Sequence, residues 1–192
     1  NICEFDLTPP SEKPRDRRGR LSRQGAEKCP PMQNLQECFP ESCETVRILG
    51  ADSIMSLECP KNWELLPFGS EDVDSFLETI DFFIYYTHPL WQESFGRVIA
   101  EAIAAGKVVI TNHATAQTFG NGVIAADTSE VNKIISQMLA APKLYHEQVK
   151  KGQRAIEEFS ADAFLRRFFQ LLHRTTAPLV EPENPEELYA FL

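Results

Sequence analysis

Apolar residues recur along this chain with two different spacings. Phe82-Phe83-Ile84-Tyr85-Tyr86 is continuously apolar, as a strand buried on both faces of a parallel sheet requires. Val108-Val109-Ile110 is a second run of this kind, and Val123 to Ala125 gives a third after the turn at Gly120-Asn121-Gly122. Thr45 to Leu49 and Trp63 to Leu66 are shorter strand candidates, β-branched or aromatic and bounded by turn residues. Elsewhere the period is helical. Val73, Phe76, Leu77 and Ile80 make one apolar face among acids, and Ile134, Ile135, Met138 and Leu139 make another behind the capping cluster Asp127-Thr128-Ser129. A short helix starts at Pro30-Pro31, carries Leu35, Cys38 and Phe39, and stops at Pro40. Pro142 begins a helix running through Phe159. Ser160-Ala161-Asp162 caps a last one, whose wide stripe from Phe164 to Leu172 is expected to pack on the sheet as ordinary core.

Strands alternating with helices at this spacing predict an α/β fold, a Rossmann-like doubly wound parallel sheet flanked by helices. Right-handed crossovers place ligands beyond the carboxyl ends of such strands. Residues 1–16, rich in proline and charge and without period, read as a linker or interdomain segment. Residues 17–174 form the Rossmann-like domain, and the proline-rich, acidic stretch 175–192 reads as a tail.

The segment between the first two apolar strands carries the candidate chemistry. Glu93-Ser94-Phe95-Gly96-Arg97-Val98-Ile99-Ala100-Glu101 puts a glycine at a helix start and a carboxylate on either side of it, and the helix then runs into Gly106-Lys107-Val108-Val109-Ile110. A helix N-terminus exposes unpaired N–H groups and a positive dipole end, so it attracts an anion such as a phosphate. The carboxylates cannot hold that anion, but they can accept hydrogen bonds from hydroxyls flanking it. Eight residues of helix span about 12 Å, comparable to the distance from ribose to sugar across a diphosphate. Ser94, Phe95, Gly96 and Arg97 would supply amides to the phosphates, with Gly96 permitting close approach.

This pattern, Glu-x7-Glu with Phe-Gly inside it and then Ala-Glu-Ala-x-Ala-x-Gly-x-Val-Val, resembles the donor-binding, C-terminal domain of a retaining glycosyltransferase of the GT-B architecture, glycosyltransferase family 4. Gly19-Arg20 with Lys28 a short loop later is similar to the basic side of that family's diphosphate site, and Val46 to Gly50, Trp63 to Gly69 and Gly120-Asn121-Gly122 follow in the family's order. The resemblance covers roughly residues 18–172, one of the two domains such an enzyme needs. It implies transfer of a sugar from a nucleoside-diphosphate sugar to an acceptor hydroxyl, with retention and without a metal or other cofactor. It implies catalytic roles for Glu93, on the transferred sugar, and for Arg20 and Lys28, which neutralise the leaving β-phosphate. Donor contacts would come from Gly19, Ser94, Phe95, Gly96, Arg97, from Glu101 on the ribose, and from Phe68 beside the base. The implied partners are the donor and an N-terminal acceptor-binding domain of the same protein; the last helix of such enzymes crosses to that domain, so in its absence the stripe around Phe168 and Phe169 would be exposed or covered by a substitute partner.

Plainer readings stand beside these. Glu101 could form a salt bridge to a neighbouring strand, Glu93 could complement the helix dipole, and Ser94 could be an N-cap. Arg97 replaces a commoner aliphatic residue and could face solvent. His88 and His113 are further candidates, each as readily structural, and neither has the partners of a metal site. A nucleotide-sugar-binding module that has lost transfer, or a purely structural domain, remains a rival. A glycosidase does not fit, because no cleft sets two carboxyl groups about 5–9.5 Å apart across one bond.

Composition narrows the setting. A chain of 192 residues with 43% hydrophobic and 10% aromatic content builds one cored domain with tails. A net charge of −9 argues against nucleic acid and against an anionic membrane surface overall. Against it, Lys13, Arg15, Arg17, Arg18, Arg20, Arg23 and Lys28 form a local basic segment, whose plain reading is a solvated charge run. Five cysteines without a CxxC pair point to reduced thiols and a cytoplasmic setting. No apolar stretch reaches the ~20 residues of a membrane span, which leaves peripheral association open. The chain begins at Asn1 and reads as a fragment.

Overall fold

A computed structural model of the chain describes residues 3–175. Six strands form one sheet: β1 (Arg17–Leu21), β2 (Thr45–Leu49), β3 (Trp63–Leu66), β4 (Phe82–Tyr85), β5 (Val108–Thr111) and β6 (Ile124–Ala125). Their order is β3-β2-β1-β4-β5-β6 and every pairing is parallel. The order reverses between β1 and β4, which is the switch point where ligands gather in doubly wound sheets. The helices are α1 (Met32–Cys38), α2 (Val73–Glu78), α3 (Arg97–Ala104), α4 (His113–Ala116), α5 (Val131–Ala140), α6 (Pro142–Ile156) and α7 (Ala161–Thr175).

The continuous apolar run in β4 has a simple cause. Phe82 and Ile84 point into one core, with Ile48, Ile110, Val131 and Tyr145, while Phe83 and Tyr85 point into the other, with Phe76, Ile99 and Ile103. Side chains alternate across a strand, so a strand covered on both faces is apolar at every position. Residues 3–11 have no regular structure, yet they lie against the domain. The Cys3 amide bonds the Phe159 carbonyl at 2.7 Å, Thr8 bonds Ala104 at 2.8 Å, and His146 contacts the Ser11 carbonyl at 2.8 Å.

Two sequence expectations are corrected. The basic segment is not a solvated charge run throughout, because its centre is β1, inside the sheet. Arg18 and Arg20 are each only 2% exposed. Burial of these charges is tolerated because each guanidinium finds partners. Arg17 donates to Asp81 at 2.7 Å, Arg18 donates to Asp16, Asn132 and the Cys38 carbonyl, and Arg20 donates to Ser22 and to the carbonyls of Lys28 and Tyr86. Gly19, mid-strand, lets Ile80 close over the backbone: a Cβ there would stand 2.6 Å from the Ile80 side chain. Arg15 and Arg23, at the margins, do stay in solvent.

The second correction concerns α7. Of its residues with described side chains, only Ala163 is buried, whereas Phe164, Leu165, Phe168 and Phe169 are 45–53% exposed. The stripe faces away from the sheet, and its rings meet one another, Phe164 stacking on Phe168 at 6.1 Å. The expected tail lies outside the described residues except for Thr175, at the end of α7.

Candidate functional site

α3 follows β4 after an eleven-residue connection and begins at the switch point, so the sheet itself aims the helix start at the carboxyl edge. Gly96 is its N-cap with φ 82° and ψ 58°, a left-handed conformation that a side chain would strain. No described side chain caps this end. Among the described residues, the amides of Gly96, Arg97 and Val98 have no intramolecular acceptor, and the first helical bond runs from Ile99 to Gly96. Those open donors at the positive end of the dipole are what an anion needs.

Beside the helix start stands a pair that joins two distant loops. The Lys28 ammonium contacts the Glu93 carboxylate at 2.5 Å, with side chains only 8% and 13% exposed. The Tyr85 hydroxyl donates to the same carboxylate oxygen at 2.6 Å, and the Ser94 amide donates to the other oxygen at 3.1 Å. Burial pushes the Glu93 carboxyl up, but Lys28, Tyr85 and the Ser94 amide together outweigh it and hold the group below its ordinary value. Burial and the neighbouring Glu93 push the Tyr85 phenol up, so it stays protonated and donates. Lys28 also lies over the Trp91 ring, 5.0 Å from its centroid.

Arg20 sits one layer behind. Its guanidinium is held by Ser22 and by the carbonyls of Lys28 and Tyr86, and it lies 5.9 Å from the Tyr85 ring centroid. It therefore fixes the backbone that presents Lys28 rather than reaching the cleft. Gly19 likewise lies inside the sheet under Ile80. Phe68, half exposed on the loop after β3, has its amide held by Asp52 at 2.9 Å.

Glu101 is placed differently from Glu93. It pairs with the mostly exposed Arg97 one turn earlier, at 2.9 Å, and lines a cavity with Asp74, Glu78, Lys107 and the N-terminal residues Glu4, Asp6 and Thr8. A second cavity, of about 720 Å³, opens at the carboxyl ends of β4, β5 and β6, where His88 and Trp91 line it. His113 is exposed at the first position of α4 and stays outside that lining.

The structure thus unites Lys28, Glu93, Ser94, Gly96 and Arg97 around one helix start, with His88 nearby, and sets Glu101, Gly19, Phe68 and His113 apart from it. Tyr85 and Trp91 are the contributors that sequence reasoning missed. The signal for Tyr85 was its place as the last residue of an apolar strand, where a hydroxyl has no reason to be unless it meets the loop beyond. No group of three or more metal-ligating side chains occurs among the described residues. No helix among them is long and apolar enough to cross a membrane.

A parallel, doubly wound sheet flanked by helices, with an open helix start and a buried lysine–glutamate pair at its switch point, defines a Rossmann-like domain. The chain belongs to the glycosyl transferases group 1 family, whose pattern it matches over residues 51–155. It is 48% identical over 61 residues to an uncharacterized 42.6 kDa protein in the cps region of Klebsiella pneumoniae, covering 31% of this chain and 15% of that protein. Its fold resembles Anabaena HepE in complex with UDP and glucose, with TM-score 0.61 and 19% identity over 82% of this chain and 48% of that one. It also resembles a mutant of S. aureus TarM in complex with fondaparinux, α-GlcNAc-glycerol and UDP, with TM-score 0.64 and 17% identity over 89% of this chain and 38% of TarM. The C-terminal domain of the group 1 protein LpcC from Francisella tularensis is matched over its full 100%, with 82% of this chain covered, TM-score 0.59 and 16% identity. At such identities these three show the fold alone. The chain spans about half the length of HepE, 48%.

Proposed function

We propose that this chain is the donor-binding C-terminal domain of a retaining GT-B glycosyltransferase of glycosyltransferase family 4. It would move a sugar from a nucleoside-diphosphate sugar to an acceptor hydroxyl in the cytoplasm, together with an N-terminal acceptor-binding domain of the same protein. The observation that carries this reading is the open amide set of Gly96, Arg97 and Val98 beside the Lys28–Glu93 pair.

In this reading the diphosphate lies on the helix start and the sugar next to Glu93. During transfer the bond from the anomeric carbon to the β-phosphate oxygen breaks, and a bond from that carbon to the acceptor oxygen forms. The acceptor proton departs toward the leaving phosphate. Charge builds on that phosphate as it leaves, and Lys28 with the three amides stabilises it there. These groups supply the positive charge without a metal ion. Glu93 accepts hydrogen bonds from sugar hydroxyls once Lys28 turns to the phosphate, with Tyr85 holding the carboxylate in place. Arg20 acts through Lys28 as a positioning residue. Glu101 reaches the ribose by exchanging Arg97, an exposed partner whose loss costs little. The base rests near Phe68, and Arg97 and Ser94 flank the phosphates.

Thermal denaturation with UDP, GDP and ADP tests the reading, because a ligand bound only by the native state raises the midpoint. One of the three should raise it and the others should not. No shift with any of them rules out the donor site. Sugar transfer by the full-length protein then separates an enzyme from a binding module.

A further inference from the structure

The cavity lined by Trp91 is not used by the diphosphate site. We propose that it is a saccharide subsite on the acceptor side, taking a neutral, hydroxyl-rich sugar unit beyond the one that Glu93 holds. Its place next to a donor rests on the reading above, but its chemistry comes from its own walls.

The cavity measures about 720 Å³, within the roughly 300–1,000 Å³ of small-molecule sites. Its lining has no lysine or arginine, and its one imidazole, His88, already accepts the Leu90 amide at Nδ1. Asp127 is the one carboxylate, and it already accepts the Glu130 amide in a capping box. What remains is a set of neutral donors and acceptors. Asn112 spends its side-chain oxygen on the Thr115 amide at 2.9 Å, which leaves its two N–H hydrogens open. Asn34 spends its N–H on Thr128 and keeps its oxygen. The Gln92 amide and the Trp91 indole N–H have no partner among the described residues. A sugar hydroxyl both donates and accepts, and a wall of mixed amides meets both demands. The Trp91 ring, 37% exposed, adds a flat face with negative potential that suits the C–H side of a pyranose.

Position agrees with chemistry. The cavity walls follow β4, β5 and β6, while Phe68 follows β3 at the opposite edge and the helix start lies between. Base, diphosphate, transferred sugar and acceptor unit would then run in one line across the carboxyl edge. Lys28 over the Trp91 ring marks the boundary between the last two.

Saturation-transfer NMR on the chain tests this with maltose, cellobiose and N,N′-diacetylchitobiose, in the presence and absence of whichever of UDP, GDP or ADP binds. Asn112→Asp keeps the oxygen that caps α4 and replaces the open donor with an acceptor, and Gln92→Ala removes an exposed amide without touching the diphosphate site. The expected result is saturation of at least one disaccharide with nucleotide bound. Asn112→Asp should then weaken it about fivefold or more and leave nucleotide affinity unchanged. Nucleotide binding without any disaccharide signal overturns the subsite. So does a signal that both variants leave intact, or one that nucleotide displaces. Disaccharide binding sensitive to Asn112→Asp, in a chain that binds no nucleotide, keeps the saccharide site and removes the donor reading instead.

Discussion

Glu93 and Glu101 belong to one motif and stand eight residues apart, yet the fold gives them opposite surroundings. Glu93 is nearly buried and takes three donors from three places: the Lys28 ammonium, the Tyr85 hydroxyl and the Ser94 amide. Among the described residues, the Glu101 side chain has one partner, Arg97, on the same helix and mostly in solvent. A buried pair is costly to break because the survivor is left charged without water, whereas an exposed helical pair exchanges partners at little cost. The first glutamate is therefore part of the architecture of the helix start, and the second is a contact available to whatever arrives.

Substitutions at the two sites should separate accordingly. The largest effect is expected from Lys28→Ala, which strands Glu93 among Tyr85 and the Ser94 amide. Chemical denaturation should show a loss of about 3 kcal/mol, and nucleoside diphosphate binding should disappear. Glu93→Gln comes next, losing about 2 kcal/mol because a charged hydrogen bond becomes a neutral one. It frees Lys28, so calorimetry should show diphosphate affinity at least as high as in the wild type. Transfer by the full-length protein should meanwhile fall tenfold or more.

The same pair gives a pH dependence of known sign. The Glu93 carboxyl is held below its ordinary value of 4.5, so its stabilisation is complete above that pH. It is lost as pH falls through the lower folded value. The stability gap between wild type and Glu93→Gln should be constant from neutral pH down to about 4.5 and then close; a gap that grows in acid contradicts the pairing. Glu101→Ala should have the smallest effect on stability, with a denaturation midpoint almost unchanged. Its effect should appear in nucleotide affinity, about tenfold weaker by calorimetry if the ribose hydroxyls use this carboxylate. An unchanged affinity removes Glu101 from the site.

Much of the fold was legible because its logic is hydrophobic. β4, β5 and most helices declare themselves by period, and the Glu-x7-Glu spacing locates α3 between them. β1 did not declare itself. A central strand spelled Arg17-Arg18-Gly19-Arg20-Leu21 has no apolar signature. It is buried only because Asp81, Asp16, Asn132 and several carbonyls, most of them distant in sequence, arrive to meet it. The α7 stripe failed in the opposite way, since its pattern says what must be covered but not by what. At the site, the anion-binding helix start was visible in Gly96. The Lys28–Glu93 pair was not, because 65 residues separate its members and only the sheet order brings their loops together. The cavity beside Trp91 was hidden for the same reason, its walls coming from the loops after three strands and from α1.

The most direct measurement is an amide-resolved NMR titration of the chain with UDP, GDP and ADP. If the α3 start receives the diphosphate, one nucleotide should move the Gly96, Arg97 and Val98 amide signals downfield, in step with the Lys28 side chain. Binding that leaves those signals still and moves others would contradict the account, as would saturating nucleotide that moves none.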